Sequence, residues 1–303
     1  VLDFSTEAFI SEIEFDNCFE KKISLIEFIQ KRKDIPFAVF KPTCLGKIEL
    51  FKKVSKGESL KSEELKKWKR VVERFEGVCQ KAFDCDVKVL IDAEETFVQK
   101  AIDDLAINMM LRFNKKKPIV YNTVQMYRWD RLQYIENLFK NYKKIVFGFK
   151  LVRGAYMEKE REIAKKNNIK SPICKDKKAT DLNFDNALDL IFNNLHRISL
   201  VCGSHNEKSV LKIIKMMSNN GMPENDDKIW FGQLYGMSDN ITFNLASKGY
   251  NVFKILPFGP VKNLMPYLIR RAEENSSVKG QTGRELQLIL KEINRRNSEK
   301  VHK

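Results

Sequence analysis

The chain has 303 residues, of which 43% are hydrophobic and 31% are charged, so it can bury a substantial core and is not disordered by composition. Its 55 Lys and Arg against 40 Asp and Glu give a net charge of +15. The excess lies in short runs such as 115–117 without interleaved aromatic residues, which disfavours a nucleic-acid surface. No apolar stretch approaches the roughly 18 residues of a membrane-spanning helix, so any membrane contact is expected to be peripheral.

Short apolar segments rich in β-branched and aromatic residues alternate along the chain with longer amphipathic segments. We predict strands at 1–4, 36–40, 87–91, 118–121, 145–152, 198–202, 228–231 and 250–256. Between them, the 3.6-residue period predicts helices at 62–83, 96–112, 126–142, 181–196, 207–220 and 239–247. Residues 54–67 are predicted to form a loop and a helix start, with Ser62 as the N-cap and acidic residues in the first turn.

Strands separated by helices favour parallel β-α units that close into one α/β barrel. An open doubly wound sheet is the alternative, and it is weakened because no G-x-G-x-x-G motif follows the first strands. We therefore expect a single barrel domain over residues 1–303, with a C-terminal helix and basic tail at 280–303. In that helix Leu286, Leu290 and Ile293 share one face, which is expected to dock on the barrel, with a membrane surface as the alternative.

The six cysteines form no C-x-x-C pair and no zinc spacing, so free thiols in a reducing compartment are expected. No second His or Cys stands at metal-ligand spacing from His205, which argues against a metal centre. Because the sequence begins at Val1, part of the natural N-terminus is expected to be missing, and a targeting peptide cannot be judged.

Polar residues follow several of the predicted strands, and barrel enzymes carry their chemistry at the carboxyl ends of strands. These residues are Lys41, Asp92, Asn122, Arg153 and the run Ser204-His205-Asn206. Each alone is as consistent with a capping or snorkelling role, but their convergence on one mouth favours function. Lys41 and Asp92 are expected to pair across the mouth, where opposite charges suit an amino-acid substrate. The acids at 92–95 are also expected to cap the helix that begins at Thr96.

A helix predicted to begin at Pro266 carries the adjacent residues Arg270 and Arg271. Two guanidinium groups can hold a carboxylate bidentately, which fixes its orientation as well as its charge. Taken alone, the pair is better explained as a surface doublet balanced by Glu273 and Glu274. The surrounding motifs favour the carboxylate site.

Five motifs together resemble the FAD-dependent proline dehydrogenase family of the eukaryotic type, with hydroxyproline dehydrogenase as a close relative. They are Asp-Ala-Glu-Glu at 92–95, Lys-Leu-Val-Arg-Gly-Ala-Tyr at 150–156, Ser-His-Asn at 204–206, Tyr-Gly-Met at 235–237 and Tyr-Leu-Ile-Arg-Arg at 267–271. The resemblance implies a distorted (β/α)8 TIM-type barrel with non-covalent FAD over the strand ends. It also implies that the final helix lies above the barrel mouth.

The resemblance further implies roles for individual residues. Lys150 falls where bacterial relatives carry an arginine near flavin N5, which makes Lys150 and Asp92 the candidate catalytic residues. The implied substrate-binding residues are Lys41, Asp92, Leu151, Tyr156, Ile255, Tyr267, Arg270 and Arg271. Among them, the arginines hold the carboxylate, the tyrosines wall the ring, and Leu151 packs under it. The implied FAD-contacting residues are Ala93, Asn122, Lys150, Val152, Gly154, Ser204, His205 and Glu274.

The chemistry that the resemblance implies is hydride transfer from L-proline to FAD, giving Δ1-pyrroline-5-carboxylate in the first step of proline catabolism. Electrons then pass to ubiquinone, which implies peripheral contact with the matrix side of the mitochondrial inner membrane or its bacterial equivalent. A basic chain suits such a surface.

The substrate preference depends on Ile255, where proline-specific members usually carry tyrosine and hydroxyproline-specific members carry serine. An apolar side chain cannot pair with a ring hydroxyl, and a buried unpaired hydroxyl costs about 1–3 kcal/mol. Proline is therefore the expected substrate and hydroxyproline the alternative. A hypothesis of another class is a flavin-free barrel that acts as a binding or regulatory protein.

Overall fold

The computed structural model describes residues 1–4, 9–261, 264, 265, 268, 269 and 281–301. They divide into two compact units, Val1–Gly259 and Pro260–Lys303. The first unit contains eight parallel strands: β1 (Leu2–Phe4), β2 (Phe37–Phe40), β3 (Lys88–Ile91), β4 (Val120–Gln125), β5 (Phe147–Val152), β6 (Ile198–Gly203), β7 (Ile229–Leu234) and β8 (Val252–Phe258).

Helices connect the strands. In the first unit they are α1 (Glu12–Gln30), α2 (Ile48–Lys56), α3 (Ser62–Asp84), α4 (Thr96–Phe113), α5 (Arg131–Asn141), α6 (Met157–Lys166), α7 (Lys177–Phe192), α8 (Glu207–Asn219) and α9 (Asp239–Ser247), with short 3-10 helices at Pro42–Leu45 and Leu195–Arg197. The second unit contains α10 (Gln281–Val301). Within the described residues, no helix is both long and apolar enough to cross a membrane.

The predicted barrel is confirmed: each of the eight strands lies where the apolar runs place it, and helices separate them. Strand β4 continues to Gln125, four residues beyond its predicted end at Tyr121. The predicted helix at 126–142 begins only at Arg131, and the one at 181–196 lies at Lys177–Phe192. The expected place of the final helix above the mouth depends on residues 266, 267 and 270–280, which lie outside the described residues.

The start of α3 differs from the prediction by one residue. Lys61 is the N-cap and Ser62 is already helical. The Lys61 amide donates to the Glu64 carboxylate at 3.0 Å. An acid in the first turn therefore satisfies the amide of the N-cap residue.

Side chains alternate between two cores, as the two-residue period of a strand requires. Inside the barrel, Phe37, Leu90, Tyr121, Val201 and Phe253 form a compact cluster. On the outer face, alternate residues such as Phe149 pack beneath the helices in a larger cluster. The parity of a strand residue therefore decides whether its side chain can reach the barrel mouth.

The barrel has one seam, because the strand order runs β1-β8-β7-β6-β5-β4-β3-β2 and no ladder joins β1 to β2 among the described residues. Lys22 of α1 occupies this seam and is only 3% exposed. Its Nζ donates to the carbonyls of Phe4 and Val39 at 3.1 Å each and lies 3.6 Å from the Asp3 carboxylate. A side-chain ammonium thus links two strands that share no backbone hydrogen bonds.

Candidate active site

A buried ion pair lies at the carboxyl end of the barrel. Lys150 has the inward parity of β5 and is 5% exposed. Its Nζ lies 2.5 Å from Asp92 Oδ1, just past β3. Lys41 was the predicted partner of Asp92. Lys41 lies beside Asp92, since Phe40 pairs with Ile91 in the sheet and the Asp92 amide donates to the Phe40 carbonyl at 3.0 Å. The register therefore places Lys41 on the same side of the mouth as the ion pair of Lys150 and Asp92.

The acids that follow Asp92 do not cap α4 with their side chains, contrary to the prediction. Glu95 is the N-cap, but its side chain makes no capping hydrogen bond, and its carboxylate pairs with Lys159 of α6 at 2.5 Å. Glu160 of α6 instead accepts from the Thr96 amide at 2.6 Å. Glu95 is thus directed towards α6, and the start of α4 is satisfied by a carboxylate from that helix.

Glu94 connects the loop after β3 to the loop after β2. Its Oε1 accepts from the Thr43 amide at 2.9 Å and its Oε2 from the Thr43 hydroxyl at 2.6 Å. The pKa of Glu94 is raised to about 7. Burial is the main cause and Glu95 adds to it, against the opposing effects of Lys41 and of the Thr43 hydrogen bonds. Sequence reasoning read Glu94 only as a capping acid and missed this bridge.

The segment after β5 requires a glycine. Gly154 has φ +130°, and a Cβ placed there would lie 2.5 Å from the Tyr127 ring. Beside it, Arg153 bonds to Asp181 at 2.8 Å, Ser204 at 3.1 Å and Ser209 at 3.0 Å. Val152 and the half-buried Tyr156, the N-cap of α6, complete the segment. The close approach to Tyr127 leaves room for backbone alone.

The loops after β6 and β7 meet at His205. Its Nδ1 lies 2.9 Å from the Ser238 hydroxyl, and Ser238 is a non-glycine residue with φ +52°. The Ser204 hydroxyl accepts from Arg153 and from the Asn206 amide at 3.1 Å each. Ser204 and His205 therefore lie at the mouth, both engaged by residues of neighbouring loops.

Two of the residues named by the resemblance point away from the mouth. Leu151 is fully buried in the cluster beneath the helices, one residue out of phase with Lys150, and its expected place under the substrate ring stays a prediction. Asn122 lies inside β4 and not after it. Its Nδ2 donates to Asp103 of α4 at 2.9 Å, which places its side chain outside the barrel and argues against the expected side-chain contact with FAD.

The inward positions of β4 were missed because the strand was predicted to end too early. Thr123 is buried beside Lys150 in the register, and its hydroxyl has no hydrogen-bond partner within the part of the chain that the structure describes. Gln125 shares its parity and is also buried. The apolar residues Val120, Val124 and Met126 continue the outward face, and this alternation could have extended the prediction.

Two further residues lie at the mouth. Ile255 packs against the cluster inside the barrel, so its side chain faces inwards as the resemblance requires. Ala93 is half-buried between Asp92 and Glu94. Tyr267, Arg270, Arg271 and Glu274 lie outside the described residues. Over the described ranges, no group of three or more His, Cys, Asp or Glu is arranged to hold a metal ion.

A parallel (β/α)8 barrel with charged and polar side chains gathered at the carboxyl ends of its strands defines the class of barrel enzymes. Residues 1–284 match the family described as "Proline dehydrogenase". The chain belongs to the proline dehydrogenase family.

Relatives of known name agree with this assignment. The "Carbapenem antibiotics biosynthesis protein CarD" of Pectobacterium carotovorum subsp. carotovorum is 35% identical over 298 residues, which cover 98% of this chain and 77% of the relative. Human "Proline dehydrogenase 1, mitochondrial" is 37% identical over 75% of this chain, and the "Hydroxyproline dehydrogenase" of Xenopus laevis is 37% identical over 83% of it. The matched regions span only 39% and 54% of those two proteins.

A solved structure shares the fold. The structure of proline utilization A (PutA) from Bdellovibrio bacteriovorus, inactivated by N-propargylglycine, has a TM-score of 0.80 at 21% identity and covers 92% of this chain. The chain corresponds to 30% of that protein. This likeness supports the barrel architecture.

Proposed function

We propose that the chain oxidises L-proline to Δ1-pyrroline-5-carboxylate with bound FAD and passes the electrons to a quinone. The observation that carries the proposal is the buried Lys150–Asp92 ion pair with Lys41 beside it, inside the mouth of a proline dehydrogenase family barrel. A buried ion pair is weak support for stability by itself, so its place at the mouth favours a functional role.

The residues at the mouth fit a flavin. Among the described residues the buried Thr123 hydroxyl has no hydrogen-bond partner, which suits a ligand with polar ring atoms. Gly154 keeps side-chain atoms away from the backbone beside Tyr127. The residues that would hold FAD are Ala93, Lys150, Val152, Gly154, Ser204 and His205, together with Glu274. Bound FAD would supply the redox chemistry, as the acceptor for the hydride that leaves the substrate ring.

The protein itself would bind and orient the substrate. Oxidation removes a hydride from the ring carbon next to nitrogen that does not carry the carboxylate. It also removes a proton from that nitrogen, and a C=N bond forms between the two atoms. Lys41, Arg270 and Arg271 would neutralise the carboxylate, and Asp92 would hold Lys150 in place while offering an acceptor on the amine side. Tyr156 and Tyr267 would wall the ring and exclude water.

The inward-facing Ile255 supports proline over hydroxyproline, because it offers no partner to a ring hydroxyl. Steady-state assays with a soluble quinone acceptor should give a higher kcat/KM for L-proline than for trans-4-hydroxy-L-proline. A ratio in favour of hydroxyproline would overturn the substrate assignment. Purified protein without visible flavin absorbance that FAD does not restore would instead support a binding or regulatory barrel.

The carboxylate assignment has its own test. Arg270→Met and Arg271→Met should each raise KM for proline by a factor of about ten or more, since a charge-assisted hydrogen bond contributes about 1.5–3 kcal/mol. Flavin content, read from the absorbance ratio of flavin to protein, should stay near that of the wild type. Unchanged KM in both variants would contradict the assignment.

We also place the chain at the matrix side of the mitochondrial inner membrane, in peripheral contact with the lipid. The proposal is supported by the names of relatives, which are mitochondrial in human and worm, and by the net charge of +15. Co-sedimentation with anionic vesicles at low salt, lost at high salt, is the expected result. Equal sedimentation with neutral vesicles would argue against an electrostatic contact.

A further inference from the structure

The residues from Asp92 to Thr96 tie together three parts of the mouth. Asp92 pairs with Lys150 of β5, and Glu95 and the Thr96 amide bind the side chains of Lys159 and Glu160 on α6. Glu94 makes the third connection, to Thr43 in the segment that follows β2. We call residues 92–95 the Asp92 loop and residues 41–46 the Lys41 loop.

The Lys41 loop leaves the sheet directly after Phe40 and turns through the 3-10 helix Pro42–Leu45. Past Phe40 no strand ladder supports it. Glu94 holds it at both the backbone and the side chain of Thr43, and Arg74 of α3 donates to the Leu45 carbonyl at 3.0 Å. Of these two contacts, the one between Glu94 and Thr43 lies closer to Lys41 along the chain.

Glu94 is suited to this task because it is rigidly placed. It is 5% exposed, and its amide donates to Gln99 Oε1 at 2.8 Å. Gln99 in turn donates to Asp103 at 2.9 Å within α4. The carboxylate therefore projects from a segment that is fixed to α4, and both of its oxygens are directed at a single residue of the Lys41 loop.

We propose that Glu94 is a positioning residue that sets Lys41 against Asp92 by binding Thr43, and so fixes the spacing of the two charges that meet the substrate. The inference rests on the proposed function for the identity of that substrate. It assigns Glu94 a task through Thr43 and not through contact with substrate or cofactor.

The test compares Glu94→Ala, Glu94→Gln and Thr43→Val. Glu94→Ala removes both hydrogen bonds and should raise KM for proline about tenfold or more, because small misplacements of binding groups have large kinetic effects. The kcat per bound flavin should change little. Glu94→Gln keeps an acceptor for the Thr43 amide and should restore KM to within about threefold of the wild type, since only the hydrogen bond with the Thr43 hydroxyl has to change.

Thr43→Val should show a smaller rise in KM, and the double variant Thr43→Val/Glu94→Ala should show no more than Glu94→Ala alone, because both changes act through one contact. Additive effects in this cycle would overturn the proposal. Ser199→Ala is the matched control: Ser199 is a buried hydroxyl with two hydrogen bonds at the amino end of the barrel. It should lower Tm and leave KM unchanged.

A crystal structure of Glu94→Ala decides the same point without any assay. Lys41 should be displaced relative to Asp92, while the Asp92 loop keeps its place through Lys150 and α6. An undisplaced Lys41 would overturn the positioning role even if the enzyme oxidises proline. If the wild type does not oxidise proline, the proposed function fails, and a displaced Lys41 would still support the positioning role.

Discussion

The buried carboxyl of Glu94 is expected to make the stability of the protein depend on pH. Its carboxyl has a pKa of about 7 in the folded protein because burial disfavours the charged form, against an ordinary value of 4.5. A raised folded-state pKa means that the stability gained from the neutral form is complete below the unfolded value and is lost as pH rises through the folded value. Lys41, Thr43 and Glu95 face this carboxyl and set the balance.

We therefore expect the wild-type free energy of unfolding to fall between pH 4.5 and about 7 relative to Glu94→Gln, by up to about 3 kcal/mol, since each pKa unit corresponds to about 1.4 kcal/mol. Urea denaturation of both proteins across this range measures the difference. A wild type and a variant whose unfolding free energies run parallel with pH would show that Glu94 does not titrate there.

Sequence reasoning found the charged residues of the mouth but not their geometry. Lys41 and Asp92 were identified because they follow apolar runs, and Lys150 was identified from the family resemblance. Leu151 and Asn122 were assigned to the site although their parity directs them outwards. A motif match gives the identity of a residue but not the direction of its side chain, which depends on its position in the strand. Asn122 was expected to follow β4, but the strand ends four residues later than predicted and includes it.

At the scale of elements, the turn from β5 into α6 depends on Gly154. Alanine there would combine an unfavourable φ with a Cβ 2.5 Å from the Tyr127 ring. Gly221→Ala is the matched control, because Gly221 has φ +64° and a Cβ added there would have no neighbouring atom within 4 Å.

The control should lose about 1 kcal/mol, the ordinary penalty for an L-residue in this conformation. Gly154→Ala should lose clearly more, in the range of about 2–4 kcal/mol for strain combined with overpacking. Thermal unfolding of both variants measures the difference, and flavin content should fall only in Gly154→Ala. Equal losses would mean that the Tyr127 ring moves aside freely.

Two helices between the strands, α2 and α6, were not predicted from the sequence. Each contributes only two residues to a buried stripe, Leu50 and Phe51 in α2 and Glu160 and Ala164 in α6. In α1 the stripe is interrupted by Lys22, a charge that a sequence pattern places on the surface. The position of that charge becomes clear only when the seam of the barrel is known.

At the scale of the whole barrel, Lys22 holds the seam between β1 and β2. Lys22→Met should lower the free energy of unfolding by about 3–5 kcal/mol, because it removes the ion pair with the buried Asp3 and takes this donor from two carbonyls. Chemical denaturation measures the loss. Lys21→Met, an exposed neighbour on the same helix, is the control and should change stability by less than about 0.5 kcal/mol.

The seam also divides the sheet into strands with two neighbours and strands with one. Among the described residues, strands β3 to β8 are paired on both edges, whereas β1 and β2 are each paired on one edge and are linked by Lys22. Breathing of the barrel should therefore begin there, so that amide protons of β1 and β2 exchange with solvent before those of β4 to β6. Strand β2, which leads into Lys41, is one of the two strands whose free edge is expected to open first. This side of the mouth is therefore expected to undergo slow local opening that the opposite side does not.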